Sequence, residues 1–196
     1  MGGLAVFGYA SLVSAASASE TLGRDVGPCP RARLRGRRRR WSTVRDNRTA
    51  EKTFARADSG EIPPFVLGLN VEPSEDGEDA PNGVLIEVSE AELERLDIRE
   101  LRFRRIDVSD AIEPADGDLA FERVVVYTAR PEHFAPEPPP DAVIIAPYAR
   151  TVERCFAELG PDQLDLFRRT TGPPPVEQIE AVLVRDQIPP GNPRAW

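Results

Sequence analysis

The stretch from Val6 to Leu12, which reads Val-Phe-Gly-Tyr-Ala-Ser-Leu, constrains the fold of this chain more than any other. Its apolar start, with a β-branched and an aromatic residue, predicts a short buried strand. Gly8 and Ala10 flank Tyr9, and small residues allow a sharp turn and a close approach of a ligand to the main chain. The hydroxyl of Ser11 can cap a following helix. We therefore predict a strand, a tight turn and a helix start, whose N–H groups converge where they can bind a carboxylate or an oxyanion.

Two other interpretations of this stretch remain open. The first is a core strand that ends in a small-residue turn and binds nothing. The second is a secretory signal peptide, because the residues from Leu4 to Val13 are largely apolar and those from Ala15 to Ser19 are small. The charge pattern opposes a signal peptide, since the first basic residue is Arg24 and polar residues interrupt the apolar run.

The composition favours a single globular domain in the cytoplasm. The chain has 196 residues, of which 40% are hydrophobic, so it can bury a core unaided. It has no stretch of ~20 uninterrupted apolar residues, so we expect no transmembrane helix. Cys29 and Cys155 can form one disulfide, although two free thiols in a reducing compartment are the simpler expectation. His133 is the only histidine, and its place ahead of a proline cluster favours a loop over a metal ligand or a base.

The net charge of −8 disfavours a general nucleic-acid-binding surface, but the charges are unevenly distributed. Seven arginines lie between Arg31 and Arg40, and an acidic stretch runs from Glu72 to Asp79. Ala32 and Leu34 alternate with arginines, which predicts one strand that continues to Val44 and has a charged, solvated face. A patch that binds phosphate or an acidic polymer is the alternative.

Apolar patterning divides the rest of the chain into strands and helices. We predict strands at 65–71, 84–88, 103–108 and 124–127, and a loop at 72–82 that ends in an Asn82-Gly83 turn. Ser89 and Glu92 have the spacing of a capping box, so a short helix begins there and ends at 96–100. Helical spacing predicts helices at 141–159 and 176–188, with a further turn at 163–169. Strands before helices indicate an α+β fold, with a closed or strongly curved mixed β-barrel and helices packed outside it.

Two distant segments of the sequence carry a resemblance to a known family. The first is Phe7–Leu12, and the second runs from Gly83-Val84 through Leu93 to the stretch Leu96-Asp97-Ile98-Arg99-Glu100. In this order they resemble the γ-glutamylcyclotransferase-like family, which includes γ-glutamyl-amine and glutathione-specific cyclotransferases. The stretch 32–36 is similar to the family's second strand, and Tyr127-Thr128 to the end of a later strand. The similarity implies a γ-glutamylcyclotransferase-like domain over residues 1–160. Residues 161–196, which it leaves unexplained, are expected to be a helical or irregular extension of the same domain.

The resemblance implies a role for each segment. In the family, an N-terminal loop with the pattern Tyr-Gly-Ser binds the γ-glutamyl group through its backbone, and a glutamate placed like Glu100 is the general acid/base. The implied substrate-binding residues are Gly8, Tyr9, Ala10, Ser11 and Leu12. Arg99, Phe103 and Tyr127 are the further residues expected to line the pocket.

The implied reaction is the cyclisation of a γ-glutamyl compound, such as glutathione, a γ-glutamyl amine or a γ-glutamyl-protected metabolite, to 5-oxoproline and a free amine. The substrate's own α-amino group attacks its γ-carbonyl, so little entropy is lost if the loop holds the chain curled. One carboxylate can accept a proton from the ammonium and return it to the leaving amine, while N–H groups stabilise the oxyanion. This lyase or acyltransferase chemistry requires no metal or other cofactor. The expected partner is a small molecule, not nucleic acid or a membrane.

The sequence departs from the family pattern at three positions. Ala10 stands where the family has Gly, and Ala would cost ~1 kcal/mol or more if the backbone there had a positive φ. Phe103 lies where many members have Tyr, and Asp141 lies where some members have another binding Tyr. In addition, Arg99 either helps to keep the carboxylate of Glu100 ionised or points to solvent.

Two alternatives to an active enzyme remain open. The departures at Ala10 and Phe103 suggest a binding or regulatory module that keeps the pocket but has lost turnover. The arginine-rich segment from Arg31 to Arg40 suggests a protein that binds nucleic acid or an acidic partner.

Overall fold

A computed structural model describes residues 3–74, 80–190 and 192–193 of the chain. Its strands are β1 (Gly3–Gly8), β2 (Arg31–Leu34), β3 (Arg37–Asp46), β4 (Lys52–Arg56), β5 (Phe65–Pro73), β6 (Asn82–Glu87), β7 (Phe103–Asp107), β8 (Ile112–Pro114), β9 (Phe121–Ala129), β10 (Ala142–Ile145), β11 (Gln178–Ile179) and β12 (Ala181–Asp186). Its α-helices are α1 (Ala15–Leu22), α2 (Glu90–Arg99), α3 (Ala146–Leu159) and α4 (Pro161–Arg169).

The N-terminal strand lies in the middle of the largest sheet, whose strand order is β7-β9-β1-β6-β2-β8. β1 pairs antiparallel with β6 and parallel with β9, so it is covered on both edges. Its residues Ala5, Val6 and Phe7 are buried in the main hydrophobic core. The buried strand predicted from the apolar start of the chain is therefore confirmed.

A second sheet, with the order β11-β10-β5-β3, continues the curvature of the first. The two sheets are joined where Thr128 donates to the carbonyl of Val71 at 2.8 Å and the N–H of Ala129 donates to the side chain of Asn70 at 2.8 Å. β4 and β12 form a separate two-stranded ribbon. The predicted α+β class is confirmed. Of the two forms that the sequence left open, the strongly curved sheet is the one observed, as a curled half-barrel.

Helix starts follow the predicted chemistry in one case and not in another. Ser89 and Glu92 form the predicted capping box at the start of α2, which directs Leu93 and Leu96 into the core. The prediction that Ser11 caps the first helix is wrong. A one-turn 3₁₀ helix spans Ser11–Val13, and the side chain of Ser14 caps α1 instead.

The last third of the chain contains more strand than the sequence predicts. Residues 142–145 form β10 and not the first turn of a helix, because this apolar run is buried between β5 and β11 with parallel pairing on both sides. The helix predicted at 176–188 is also wrong, since β11 and β12 occupy that segment.

Earlier in the chain, Asn82-Gly83 is not a turn but the start of β6. The short strands β4 and β8 were not predicted.

The arginine-rich segment forms two strands and not one, because the chain turns at Gly36, whose φ of +66° suits glycine. Its face is only partly solvated. Arg39 is completely buried, lies over the rings of Phe156 and Phe167 with distances of 4.9 and 4.6 Å from its guanidinium carbon to the centroids, and donates to the carbonyl of Asn82. Arg39 therefore anchors α3 and α4 to the sheet.

The remaining sequence predictions concern the two cysteines, the histidine, a membrane-spanning helix and the loop at 72–82. Cys29 and Cys155 are free thiols, and His133 lies in a single 3₁₀ turn after β9. No helix among the described residues is long and apolar enough to cross a membrane. The loop predicted at 72–82 falls partly on residues 75–79, which lie outside the described residues, and β5 and β6 occupy its two ends.

Candidate active site

A cavity of about 480 Å³ lies beside the carboxyl end of β1 and brings the two distant sequence segments together. The cavity wall includes every residue that the sequence and the resemblance nominate for the site. From the first segment these are Gly8, Tyr9, Ala10, Ser11 and Leu12, and from later in the chain Arg99, Glu100, Phe103 and Tyr127. The pairing of β1 with β6 makes this convergence possible, because β6 leads directly into α2.

The turn after β1 has the geometry of a small backbone cradle. The N–H of Val13 donates to the carbonyl of Ala10 at 3.1 Å, and this bond closes the 3₁₀ turn. Within the described part of the chain, no hydrogen bond uses the N–H groups of Ser11 and Leu12, which are the first two of that turn. Ala10 has a φ of −136°, so the strain expected from a positive φ at this position does not arise.

Two glycines allow the cradle to pack tightly against the sheet. A Cβ added to Gly83 would overlap the carbonyl oxygen of Gly8 and would lie 2.7 Å from the ring of Phe7. A Cβ added to Gly8 would crowd the backbone of Leu12 at 3.2 Å. The backbone of β6 and the turn can approach this closely only because both positions lack a side chain.

Glu100 terminates α2 and projects its carboxylate into the cavity wall. It is the C-cap residue, and its N–H donates to the carbonyl of Leu96 at 2.7 Å. Its side chain is 18% exposed, and Oε1 accepts a hydrogen bond from Nε of Arg99 at 3.1 Å. A carboxylate in this position remains accessible to a ligand while its orientation is fixed by the neighbouring guanidinium.

Arg99 does not point to solvent, because its side chain is only 2% exposed. Besides Glu100, its guanidinium donates to the hydroxyl of Ser11 at 3.2 Å and to the hydroxyl of Ser17 at 3.1 Å. It also donates to the hydroxyl of Thr21. One side chain thus connects the acid, the turn and α1, and the hydroxyl of Ser11, which the sequence assigned to a helix cap, is instead bound by Arg99.

Buried tyrosines form one side of the cavity. The hydroxyl of Tyr9 donates to the carbonyl of Tyr127 at 2.9 Å, and the hydroxyl of Tyr127 donates to the carboxylate of Asp97 at 2.8 Å. Burial, together with the nearby negative charge of Glu100, raises the pKa of Tyr9 well above its usual value. These hydroxyls are therefore neutral at physiological pH. The hydroxyl of Tyr9 holds the turn against β9, and that of Tyr127 connects β9 to α2.

Tyr148 is one of the cavity residues that sequence reasoning did not nominate, since it lies within the helix predicted at 141–159. It lies at the start of α3, directly after β10, and burial followed by the charge of Glu100 raises its pKa. Asp141, the position compared with a binding tyrosine of the family, lies before β10 and not in the cavity wall. The sequence signal that could have identified Tyr148 is the pair Pro147-Tyr148. Proline favours the first turn of a helix, and ligands bind beyond the carboxyl ends of parallel strands.

The β4–β12 ribbon and the segments next to it contribute the solvent-exposed side of the cavity, here called its opening, where Leu183 is 47% exposed. Lys52 and Phe54 come from β4, Leu183 from β12 and Ile188 from the residues after it. Among the described residues, no group of three or more His, Cys, Asp or Glu side chains is placed to hold a metal ion.

Comparisons with known proteins identify the fold. No family model matches the sequence, and no curated protein matches it either. Among solved structures, the glutathione-specific γ-glutamyl cyclotransferase from yeast superposes with a TM-score of 0.54 at 13% identity, over 87% of this chain and 98% of that one. Another structure, described as a γ-glutamyl cyclotransferase, has a TM-score of 0.55 at 13% identity, over 85% of this chain and 86% of that one.

YkqA from Bacillus subtilis superposes with a TM-score of 0.54 at 18% identity over 85% of this chain. This chain spans about half of YkqA, with 53% of that chain covered. At such identities a structural likeness establishes the fold alone. The chain therefore has the fold of the γ-glutamyl cyclotransferases.

Proposed function

We propose that this protein is a γ-glutamyl cyclotransferase, which converts a small γ-glutamyl compound to 5-oxoproline and releases an amine. The observation that carries the proposal is that the same cavity is lined by Glu100 and by Ser11 and Leu12, the two turn residues whose N–H groups have no hydrogen-bond partner among the described residues. The fold shared with the yeast glutathione-specific enzyme supports it. The two free thiols favour a reducing compartment, which we take to be the cytoplasm.

In the proposed reaction, Glu100 accepts a proton from the α-ammonium group of the substrate. The freed amine attacks the γ-carbonyl carbon, and the N–H groups of Ser11 and Leu12 stabilise the oxyanion that forms. Glu100 then returns the proton to the amide nitrogen as its bond to the γ-carbon breaks. The ring nitrogen still carries a second proton after the attack, and it loses that proton through the same carboxylate to the released amine. The products are 5-oxoproline and the amine in its ammonium form, so no proton is gained or lost overall.

Other residues of the cavity hold this machinery in place. Arg99 orients the carboxylate of Glu100 and, through Ser11, sets its position relative to the turn. Attack within one molecule is fast only when the reacting atoms are held close together. Tyr9 keeps the turn against β9 through its hydrogen bond to Tyr127.

A binding module on the same fold is the alternative, and Phe103 is the observation that favours it. This residue places a phenyl ring in the cavity wall next to Glu100, where many members of the family have a hydroxyl. The second departure, at Ala10, no longer supports loss of activity, because its φ is negative.

The interpretation of the arginine-rich segment as a nucleic-acid site is weakened by its contacts. Arg38 and Arg40 both pair with Glu72, at 2.8 and 3.1 Å, and Arg39 is buried. Arg31 pairs with Asp116 and Asp162, and Arg35 with Glu113. These acidic partners within the same chain account for much of the positive charge.

The test is to incubate the purified protein with a panel of γ-glutamyl amides and to quantify both products. We expect 5-oxoproline and free amine in equal amounts, with no glutamate. Glutamate as the product would indicate hydrolysis and would contradict cyclisation. Ligand-induced thermal stabilisation without any product would support the binding module.

A further inference from the structure

Apolar side chains of the C-terminal segment contribute to the outer half of the cavity. Leu183 on β12 is 47% exposed, and it lines the cavity together with Ile188 and Phe54. Deeper in the same wall lie Val66 and Ile145, both buried. These side chains give the cavity wall apolar surface, and burying exposed apolar surface under a ligand is favourable.

The charged groups at the opening already have partners in the protein. Arg102 forms a two-point ion pair with Glu51 at 2.7 and 3.0 Å, and Lys52 lies 3.5 Å from Asp186. The guanidinium of Arg45 lies over the ring of Phe54, 5.0 Å from its centroid. A carboxylate entering here would compete with Glu51 for Arg102 and with Asp186 for Lys52, and it would approach the negative charge of Glu51.

The size of the cavity leaves room for a leaving group of some bulk. A volume of about 480 Å³ falls in the range that holds a drug-sized ligand. A γ-glutamyl group bound at the turn would fill only the inner end, near Glu100. The outer end would then be occupied by the amine half of the substrate.

We propose that the substrate is a γ-glutamyl amide of an apolar amine, alkyl or aryl, and not glutathione, whose leaving half ends in a carboxylate. This inference rests on the proposed function. It assigns Leu183 the role of a specificity-determining residue at the opening. It also gives residues 161–196 a place in the same domain, because β12 pairs with β4 and completes the cavity wall.

The test compares γ-L-glutamylbenzylamide with γ-L-glutamylglycine, in both turnover and calorimetric binding. We expect kcat/KM for the benzylamide to exceed that for the glycine compound by about ten-fold or more, in keeping with the discrimination apolar pockets achieve. Leu183→Ser should lower kcat/KM for the benzylamide several-fold through KM and leave the glycine compound nearly unchanged. Val184→Ser is the matched control, because Val184 is 52% exposed on the same strand and does not line the cavity.

The outcomes separate the two proposals. Equal or better turnover of γ-L-glutamylglycine, or an equal effect of Leu183→Ser on both compounds, overturns the apolar-amine inference while cyclisation stands. If neither compound is cyclised, the proposed function fails, and the calorimetric binding of the two compounds then tests the apolar-amine inference. Tighter binding of the benzylamide that Leu183→Ser weakens supports it, and the absence of that preference overturns it. Ile188→Ser provides a second variant should Leu183→Ser fail to fold.

Discussion

At the scale of single residues, the site depends on one buried arginine that connects three parts of the chain. Arg99 contacts Glu100, Ser11 and α1 at once, through a planar group with donors in fixed directions. Lysine keeps the charge but cannot reproduce this geometry. The charge alone is therefore insufficient to maintain the arrangement of acid and turn.

We expect Arg99→Lys to lower kcat by about ten- to a hundred-fold, as small displacements of reacting groups do, with a smaller effect on KM. Steady-state kinetics with a γ-glutamyl amide would measure this. Arg95→Lys is the matched control, because Arg95 lies on the same helix and donates to the carbonyl of Thr21 at 3.0 Å without touching Glu100. Equal losses in both variants would show that helix contacts matter and that the link to Glu100 does not.

Gly83→Ala tests the close approach of β6 to the turn. The added methyl group would overlap the carbonyl oxygen of Gly8, so we expect a loss of ~3 kcal/mol or more in the free energy of unfolding. Urea denaturation measures this loss. Gly27→Ala, at an exposed position with no atom within 4 Å of the added carbon, should leave stability nearly unchanged. A Gly83→Ala protein as stable as the wild type would contradict the packing described here.

At the scale of elements, α2 places the acid, and its own start is fixed by the capping box. We expect Ser89→Ala to lower the free energy of unfolding by about 1 kcal/mol, because the N–H of Glu92 at the helix start loses the hydroxyl that accepts from it. Glu94→Ala, on the exposed face of the same helix, should change stability by less than about 0.5 kcal/mol. Urea denaturation of both variants distinguishes a cap from a general effect of substitution on this helix.

Elements with strong local signals could be predicted from sequence, and elements decided by tertiary packing could not. β1, β5 and the start of α2 have apolar runs or cap residues that define them locally. The apolar composition of Ala142–Ile145 is compatible with either a strand or a helix turn. Only its place between β5 and β11 determines that it forms a strand. The burial of Arg39 likewise depends on α3 and α4, which lie far along the chain.

The candidate site could be predicted only in part, and only through the family resemblance. The residues of the turn and Glu100 were named from sequence, but their convergence depends on the pairing of β1 with β6, which no local pattern specifies. Leu183 was missed because β12 was interpreted as helix, and Tyr148 because the strand that ends directly before it was interpreted as part of its helix. The direction of Arg99 was left open because burial depends on contacts with α1.

At the scale of the whole molecule, the buried tyrosines make stability dependent on pH. The chain has three tyrosines, and burial is the first cause of a raised pKa at Tyr9, Tyr127 and Tyr148. In the unfolded chain tyrosine ionises near pH ~10. Above that pH the unfolded state loses protons that the folded state retains, so stability is fully present below pH ~10 and falls as pH rises further.

Absorbance at 295 nm can follow this ionisation while circular dichroism reports unfolding. We expect no tyrosine of the folded protein to titrate near pH ~10, and the phenolate signal to rise together with unfolding at higher pH. A tyrosine that titrates at its ordinary pKa while the protein stays folded would contradict the burial and the contacts described for the cavity wall.

The proposed reaction depends on the carboxylate of Glu100 as its general acid and base. Glu100→Gln tests this most directly, because the amide keeps the shape of the side chain and cannot accept and return the substrate's proton. The measurement is the rate of 5-oxoproline formation at saturating γ-glutamyl amide, with Glu94→Gln on the same helix as the control. We predict that Glu100→Gln lowers kcat by about 10²- to 10⁴-fold while Glu94→Gln retains the wild-type rate. Cyclisation by Glu100→Gln at the wild-type rate would contradict the account.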